Sequence, residues 1–223
     1  SCDGNGRYCY LDPFKGSLIA VAEAARNLVC SGALPIGLTD CLNFGSPEKL
    51  GIFWQFKNSI DGIIKACEIL DIPVISGNVS FYNESFGKAI HPTPVIAIAG
   101  LIRDISMIMD SGFKNEDDDI ILIGRKVNSN IENDNMGGSE FMELFFDTVG
   151  GKCPDIDIEF EKQVHHVCLE LISRKLVKSA HDVSVGGLAV TIAESCIYGN
   201  IGANVDSILT DNDNDFLKTF YSE

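Results

Sequence analysis

The chain has 223 residues, of which 45% are hydrophobic and 22% are charged. This is the composition of a folded protein of one or two domains, not of a disordered, collagen-like or coiled-coil chain. The 17 Lys and Arg residues against 32 Asp and Glu residues give a formal net charge of −15, which disfavours nucleic acid and anionic membranes as partners. An anionic small molecule would need divalent cations or aimed backbone N–H groups to bind.

The eight cysteines are scattered singly, without a C-x-x-C pair or a histidine at zinc-finger spacing, so a structural zinc site is disfavoured. Several lie in apolar helical patterns, where reduced cysteine acts as a small core residue, and this predicts a reducing cytoplasm. No apolar run reaches the roughly 20 residues of a membrane span, and the first residues contain no signal-peptide core. Because the chain starts at Ser1 without a methionine, we expect a piece of a longer polypeptide.

Up to residue 102, helical and extended patterns alternate. Helices are predicted from capping residues and a period near 3.6, and strands from short apolar runs. The predicted elements are a helix over 17–32 with Ser17 as its N-cap, a strand over 33–41, a helix that begins at Ser46-Pro47-Glu48, and strands over 73–76 and 94–102. This order predicts a mixed α and β fold with helices packed on a sheet.

Four consecutive acids at 116–119 interrupt the pattern, which is typical of a solvated turn and predicts a domain junction between residues 1–113 and 114–223. Beyond the junction, the predicted elements are strands over 120–124 and 176–180, helices over 141–146, 158–174 and 188–197, and a polar loop over 211–215.

Polar residues follow two of the predicted strands. Residues 76–80 read SGNVS: the glycine allows close approach of the main chain, the asparagine offers Mg²⁺ a carbonyl oxygen, and serine offers a hydroxyl. If the two strands are parallel neighbours, Asp40 lies close to Gly77 and Asn78 at one sheet edge. Carboxylate and carboxamide would then converge on one magnesium–nucleotide site. The alternatives are a simple Gly-Asn turn and a capping role for Asp40.

Two glycine-containing segments precede predicted helices. In 181–187, HDVSVGG, paired glycines before a helix could form an anion cradle, while a His-Asp pair at a strand end is more often a structural hydrogen bond than a catalytic dyad. In 136–140, MGGSE predicts a glycine turn and a helix cap. His165 and His166 lie on different helix faces and cannot chelate one metal together. P-loop, dinucleotide-binding, zincin and nucleophile-elbow motifs do not occur.

Several strings in a fixed order, including GNGRYCYLDPFKGSLIAVAEAARN, PVISGNVSFYNE and HDVSVGGLAV, resemble the second half of the phosphoribosylformylglycinamidine synthase family over nearly the whole chain. The resemblance implies an α+β (mixed α/β) fold, with an aminoimidazole-ribonucleotide-synthetase-like N-terminal domain over 1–113 and a truncated α+β C-terminal domain over 114–223. It implies a cytoplasmic ATP-dependent ligase of purine biosynthesis that forms formylglycinamidine ribonucleotide from formylglycinamide ribonucleotide and glutamine-derived ammonia, with Mg²⁺.

By position, Asp40 and Gly77 match ATP contacts of this family, Asn78 matches a magnesium ligand, and Ser80 matches a contact to the ribonucleotide substrate. Val185 stands where the family usually has an acid, which puts a phosphate or metal role of that loop in doubt. The family's catalytic histidines, ATP-binding lysine and most magnesium carboxylates belong to its first half. No catalytic residue is therefore expected here, and the chain alone is expected to be inactive.

The implied partners are the first half of the same polypeptide, a glutaminase subunit and a small adaptor subunit. Strands left uncovered without the first half predict self-association, including a homodimer. Two alternatives stay open: a scaffold half that holds a structural nucleotide or none, and another ATP-using enzyme of the same superfamily, such as aminoimidazole ribonucleotide synthetase or selenide water dikinase.

Overall fold

The computed structural model describes residues 1–124, 136–205 and 219–222; the predicted loop over 211–215 lies outside these ranges. The regular elements are β1 (Cys2–Asp3), α1 (Gly6–Leu11), α2 (Pro13–Cys30), β2 (Leu34–Asn43), α3 (Leu50–Leu70), β3 (Val74–Ser80), β4 (Glu84–Ser85), β5 (Lys88–Ala89), β6 (Thr93–Leu101), a 3-10 turn (Ile105–Met107), α4 (Glu140–Phe146), α5 (Ile158–Ser173) and α6 (Gly187–Gly199). The mixed α and β prediction is confirmed.

Two helices start elsewhere than predicted. Helix α2 begins at Pro13 and not at Ser17, because Asp12 caps it by accepting a 3.0 Å hydrogen bond from the Lys15 amide and proline suits the first helical position. The Ser17 hydroxyl instead donates to the Pro13 carbonyl inside the helix at 2.7 Å. Helix α3 begins at Leu50 without a side-chain cap. The Ser-Pro-Glu signal therefore marks the turn before the helix.

The main sheet has four strands in the order β1-β6-β2-β3. Strand β2 pairs parallel with β3 and antiparallel with β6, and β6 pairs antiparallel with β1. The predicted strands over 120–124 and 176–180 are wrong, because these described segments carry no strand. Ile121 and Leu122 remain 73% and 56% exposed. An apolar run becomes a strand only where another strand pairs with it, and that pairing is not encoded locally.

The core lies between the sheet and α2 and α3. Leu38 and Leu42 of β2 and Ile96 and Ile98 of β6 are buried there, and each contributes about 1.5–3 kcal/mol by leaving water. The alanine-rich stretch of α2 lets this helix lie close to its neighbours. Within the described ranges, every helix falls short of the length and hydropathy needed to cross a bilayer.

The C-terminal part of the chain docks on the first two helices through ion pairs. Arg26 of α2 donates to Glu161 of α5 at 2.5 Å and to the Val183 carbonyl at 3.0 Å. Arg7 of α1 donates to Glu140 at 2.6 Å and to the carbonyl of Gly138. The Arg26 contacts hold α5 and the 181–187 segment against α2. The Arg7 contacts hold the start of α4 against α1.

Candidate functional site

Strands β2 and β3 bring the predicted site residues together. In their parallel ladder, Asp40 lies opposite Gly77, and Asn43 lies opposite Ser80. The prediction that Asp40 lies close to Gly77 and Asn78 is confirmed. Both alternatives are wrong: residues 77 and 78 belong to a strand and not to a turn, and Asp40 lies within a strand and caps no helix.

The Asp40 carboxylate lies directly over Gly77. A Cβ on Gly77 would come within 2.7 Å of Oδ1 and 3.0 Å of Oδ2 of Asp40, closer than packed atoms tolerate, so this carboxylate position requires a glycine. Partial burial raises the pKa of Asp40. Burial, with a smaller contribution from the Asp40 charge, raises the pKa of Cys67 in α3 to about 11. Asp40 therefore faces the side of the sheet that α3 covers.

Asn78 and Ser80 lie on the opposite face. Side chains alternate along a strand, so Asp40 shares its face with the buried Leu38 and Leu42, whereas Asn78 projects with Cys41, its amide nitrogen 3.8 Å from the Cys41 sulfur. The expectation that carboxylate and carboxamide converge on one spot is thus corrected: they lie on adjacent strands but on different faces. The alternation of Leu38, Asp40 and Leu42 is the sequence signal that could have shown this.

Ser80 is held by a residue that the sequence reasoning missed. Asn83 donates to the Ser80 hydroxyl at 3.1 Å, to the Ser80 carbonyl at 2.9 Å and to the Phe44 carbonyl at 3.1 Å. These bonds fix the end of β3 and orient the hydroxyl. An asparagine three residues after a strand-end serine is a recognisable turn-forming signal.

The site lies on an open strand. β3 forms one edge of the sheet, and Ile75 and Val79 are 69% and 49% exposed. Within 1–124, 136–205 and 219–222, no three His, Cys, Asp or Glu side chains are placed to hold a metal ion. A cation at this edge would therefore rely on Asn78, water and oxygens of the ligand, which is compatible with Mg²⁺.

Two clefts of about 330 Å³ each lie away from this edge. One is bordered by residues 3–7, His91 and Val185, so Val185 lies at a cavity beside the N-terminal loop. The other is bordered by Cys30, His181 and Asp182 among others. Neither cleft includes the four predicted site residues.

The predicted anion cradle at 181–187 is occupied by main chain. Gly186 and Gly187 have positive φ angles of 85° and 67°, which explains the glycine pair. A Cβ on Gly187 would lie 2.6 Å from the Ser222 carbonyl oxygen and 2.7 Å from that of Phe220. These oxygens carry partial negative charge, and the Gly187 amide already donates to the Ser184 carbonyl at 2.9 Å, so the geometry does not favour the cradle interpretation.

His181 is bound on both sides by carboxylates. Its Nδ1 lies 3.3 Å from Asp182 and its Nε2 lies 2.9 Å from Glu194. The hydrogen bond to Asp182, with the contribution of Glu194, raises the pKa of His181. This arrangement suits the structural interpretation of the pair. The prediction of a glycine turn and helix cap at 136–140 is confirmed, since the Ser139 hydroxyl accepts from the Met142 amide at 3.3 Å.

The amino-acid sequence matches one protein family along most of the chain. One match covers the part with the mixed sheet, and the other covers the part with helices α4–α6. Residues 1–102 match the AIR synthase related protein, N-terminal domain, and residues 115–223 match the C-terminal domain of the same family. The chain belongs to this AIR synthase related family.

Among curated relatives, the chain is 56% identical over 203 residues to phosphoribosylformylglycinamidine synthase subunit PurL of Caldanaerobacter subterraneus subsp. tengcongensis, covering 91% of this chain and 27% of the relative. PurL of Moorella thermoacetica is 49% identical over 215 residues, covering 96% of this chain and 28% of the relative. The chain thus spans little more than a quarter of the length of these relatives.

Among solved structures, Thermotoga maritima PurL complexed with FGAR matches with a TM-score of 0.63 and 18% identity, covering 90% of this chain and 31% of that chain. The hydrogenase maturation protein HypE of E. coli matches with a TM-score of 0.56 and 14% identity, covering 90% and 57%. Both likenesses show that the fold of this chain is the one shared by these proteins.

Proposed function

We propose that this chain is the second half of the synthetase polypeptide of a phosphoribosylformylglycinamidine synthase, an ATP-dependent ligase that converts formylglycinamide ribonucleotide and glutamine-derived ammonia into formylglycinamidine ribonucleotide. The observation that carries the proposal is the in-register pairing of Asp40 with Gly77, which presents Asn78 and Ser80 on an exposed edge strand. The 56% identity to a PurL subunit over 91% of the chain supports it.

Asp40 and Gly77 are proposed to contact ATP. A carboxylate repels a triphosphate, so Asp40 would accept hydrogen bonds from neutral donors of the nucleotide, such as ribose hydroxyls or the base amino group. Its raised pKa shows that partial burial already disfavours the charge, which a donor from the ligand would compensate. Gly77 keeps the carboxylate in place by leaving room for it.

Asn78 is proposed as a magnesium ligand and Ser80 as a contact to the ribonucleotide. The Asn78 amide nitrogen donates to the Cys41 sulfur, so the carbonyl oxygen of this amide would be the atom that binds a cation. Mg²⁺, when bound, would neutralise phosphate charge. Asn83 holds the Ser80 hydroxyl in place. Because β3 is an edge strand, ATP, Mg²⁺ and the ribonucleotide bound together could pass over its free edge. They could then contact Asp40 on one face of the sheet and Asn78 on the other.

The proposed reaction transfers the terminal phosphoryl group of ATP to the amide oxygen of the substrate. Ammonia then attacks the amide carbon, and phosphate leaves with that oxygen, so the products are the amidine, ADP and phosphate. This chain would position nucleotide and substrate for the step, while acid, base and further charged groups would come from the first half. The chain alone would accordingly be inactive.

We also propose the partners and compartment. The first half of the polypeptide would face the exposed strand β3 with the ligands held between them, and a glutaminase subunit would supply ammonia with the help of a small adaptor subunit. A strand edge left open favours pairing with a second copy, so the isolated chain would form a homodimer. Eight free cysteines are compatible with a cytoplasmic protein, and the acidic net charge disfavours nucleic acid and membrane partners.

The test is the Asn78→Ala variant in the complete synthase that carries this chain. Turnover with formylglycinamide ribonucleotide and the affinity for Mg-ATP should fall by roughly tenfold to a hundredfold, as expected when a contact to a charged group worth about 1.5–3 kcal/mol is lost. The midpoint of thermal unfolding should stay unchanged. Asn58→Ala in α3 is the matched control, because it removes the same amide from an exposed helical position and should leave turnover intact.

A scaffold role is the second candidate, and the placement of Asp40 and Asn78 on different sheet faces favours it. In a scaffold, Asn78→Ala would leave turnover unchanged while lowering the unfolding midpoint of the complete protein. That outcome would overturn the ligand-binding proposal. Turnover that does not depend on formylglycinamide ribonucleotide would instead point to another ATP-using enzyme of the family.

A further inference from the structure

The turn between β4 and β5 places a bulky residue where the backbone conformation disfavours one. Ser85 pairs with Lys88 across this turn, and the two residues between them, Phe86 and Gly87, have positive φ angles of 52° and 76°. Two successive positive φ angles are typical of a type I′ turn, in which Asn-Gly and Gly-Gly are preferred. Phenylalanine rarely adopts this conformation, because its Cβ crowds the neighbouring carbonyl oxygen. The turn would therefore form more easily with asparagine in place of Phe86.

The Phe86 ring makes no compensating contact within the part of the chain that the structure describes. The residue is 103% exposed, as open to water as in an extended peptide. Leaving an aromatic ring in water forgoes the free energy that its burial would supply. Strained residues persist where another interaction compensates for them, and they cluster at functional positions. Burial of the ring against another surface would account for both the strain and the exposure.

The base of this hairpin is fixed to the rest of the chain, so the ring projects from a rigid support. Glu84 of β4 binds Lys49, the residue before α3, at 2.6 Å. On the other strand, Ala89 lies so close to Gly45 that a Cβ on Gly45 would come within 2.7 Å of the Ala89 Cβ. A side chain presented by a fixed backbone loses less conformational freedom on binding than one on a free loop.

The start of α3 and the hairpin expose further apolar side chains beside each other. The Tyr82 hydroxyl donates to Glu48 at 3.4 Å and Lys49 binds Glu84, so the two segments lie side by side. More than half of each large apolar residue here is exposed, and together these residues are called the apolar corner: Leu50, Phe53, Trp54, Tyr82 and Phe86. Exposed patches rich in Phe, Tyr and Trp are typical of interaction surfaces. The apolar corner therefore has the composition of an interface centre.

The observations favour a permanent partner on the same polypeptide. The chain spans 27% of the length of a PurL subunit to which it is 56% identical, and β3, the strand proposed to face the first half, is followed directly by the hairpin. A partner joined covalently stays at a high effective concentration, so the strained turn would not be left uncovered. The net charge of −15 disfavours an anionic membrane as the partner.

We propose that the apolar corner is an interface with the first half of the same polypeptide, and that Phe86 is its anchor, inserted into an apolar pocket of that half. The inference rests on the proposed function, since it takes this chain as the second half of the synthetase. Aromatic anchors buried in pockets carry much of the free energy of an interface. The anchor lies beside the strand that carries Asn78 and Ser80, so it would fix the first half against the ligand-binding edge.

The first test places the photoreactive amino acid p-benzoylphenylalanine at position 86 of the complete polypeptide that carries this chain. Irradiation should join the peptide that contains position 86 to a peptide from outside these 223 residues, within a single polypeptide. The same amino acid at Ile105, which is 82% exposed on the 3-10 turn, is the control and should not reach that peptide. A cross-link to residues of this chain, a product of twice the mass, or no cross-link would overturn the proposal.

The second test uses the midpoint of thermal unfolding of the complete polypeptide. Phe86→Asn removes the ring and introduces a residue that suits the turn. If Phe86 is an anchor, the midpoint should fall by a few degrees in spite of the relieved turn. Phe86→Leu, which keeps the strained backbone and an apolar side chain, should retain most of the wild-type midpoint. A midpoint that rises or stays the same in Phe86→Asn would show that the ring is free and would contradict the anchor.

These results are separable from a failure of the proposed function. If the wild type converts formylglycinamide ribonucleotide but position 86 gives no cross-link, the anchor is rejected and the proposed function stands. If position 86 is cross-linked to the remainder of the polypeptide but the protein lacks that turnover, the interface stands and the proposed function is rejected.

Discussion

Polar groups on the edge strand β3 and polar groups at the contact between helices α2 and α5 differ in how they are hydrogen-bonded. The first region is called the strand edge below, and the second is called the helix contact. On β3, Asn78 lies on an exposed strand, and its amide donates to the Cys41 sulfur, a weak acceptor, at 3.8 Å. At the helix contact, the Arg26 guanidinium is bound by a carboxylate and a carbonyl, and Glu161 also accepts from His165 at 3.0 Å.

The difference separates structural polar groups from groups available to a ligand. Buried charged groups that hydrogen-bond to one another hold two parts of the chain together, so they are not available to bind a ligand. Exposed oxygens on a strand edge retain that capacity and cost little to leave in water. Changes at the helix contact should therefore affect folding, and changes at the strand edge should affect ligand binding.

The largest effect is expected from Arg26→Ala. It leaves the largely buried Glu161 carboxylate without its main cationic partner, and breaking a buried pair in this way costs about 3–5 kcal/mol of unfolding free energy. Urea denaturation measures it. Lys57→Ala is the control, because the exposed Lys57–Asp61 pair should cost no more than about 0.5 kcal/mol. Equal losses of unfolding free energy in Arg26→Ala and Lys57→Ala would contradict the view that the helix contact is a structural ion pair.

A smaller effect is expected from pH at the same contact. Burial would raise the pKa of Glu161, but His165 and Arg26 together lower it from 4.5 to about 2. A depressed folded-state pKa contributes stability above pH 4.5 that is lost as the pH falls toward 2, here roughly 2–3 kcal/mol. Denaturation at several pH values should show this loss in the wild type, and the loss should vanish in Glu161→Gln. If Glu161→Gln lost as much stability at low pH as the wild type, other carboxylates would be responsible for the loss.

The smallest effect on stability is expected from Gly77→Ala at the strand edge. The new Cβ would lie 2.7 Å from Asp40 Oδ1, so the carboxylate must turn away, at a cost of about 1 kcal/mol. Affinity for ATP in the complete protein, measured by calorimetry, should fall by roughly tenfold. Gly51→Ala is the control, since a Cβ there meets nothing within 4 Å. An unchanged affinity for ATP in Gly77→Ala would show that Asp40 and Gly77 do not contribute to nucleotide binding.

Sequence reasoning succeeded where the decisive signal is local. Helix α5 was predicted within one residue of its observed bounds, because its Asp157 cap and apolar period lie in one segment. It failed at 120–124 and 176–180, where an apolar run met no partner strand. At the candidate site it predicted the neighbours of Asp40 but not the face on which Asp40 lies.

By itself, the sequence determined the mixed α and β fold, the order of most elements and the four candidate residues, because periodicity, capping and the strand-end motifs are carried by consecutive residues. The tertiary structure alone decided that Asp40 points away from Asn78, that residues 220–222 lie against Gly187, and that Arg26 meets Glu161. Each of these facts joins segments far apart in the chain, and such contacts depend on strand register and helix crossing, which packing of the whole core selects.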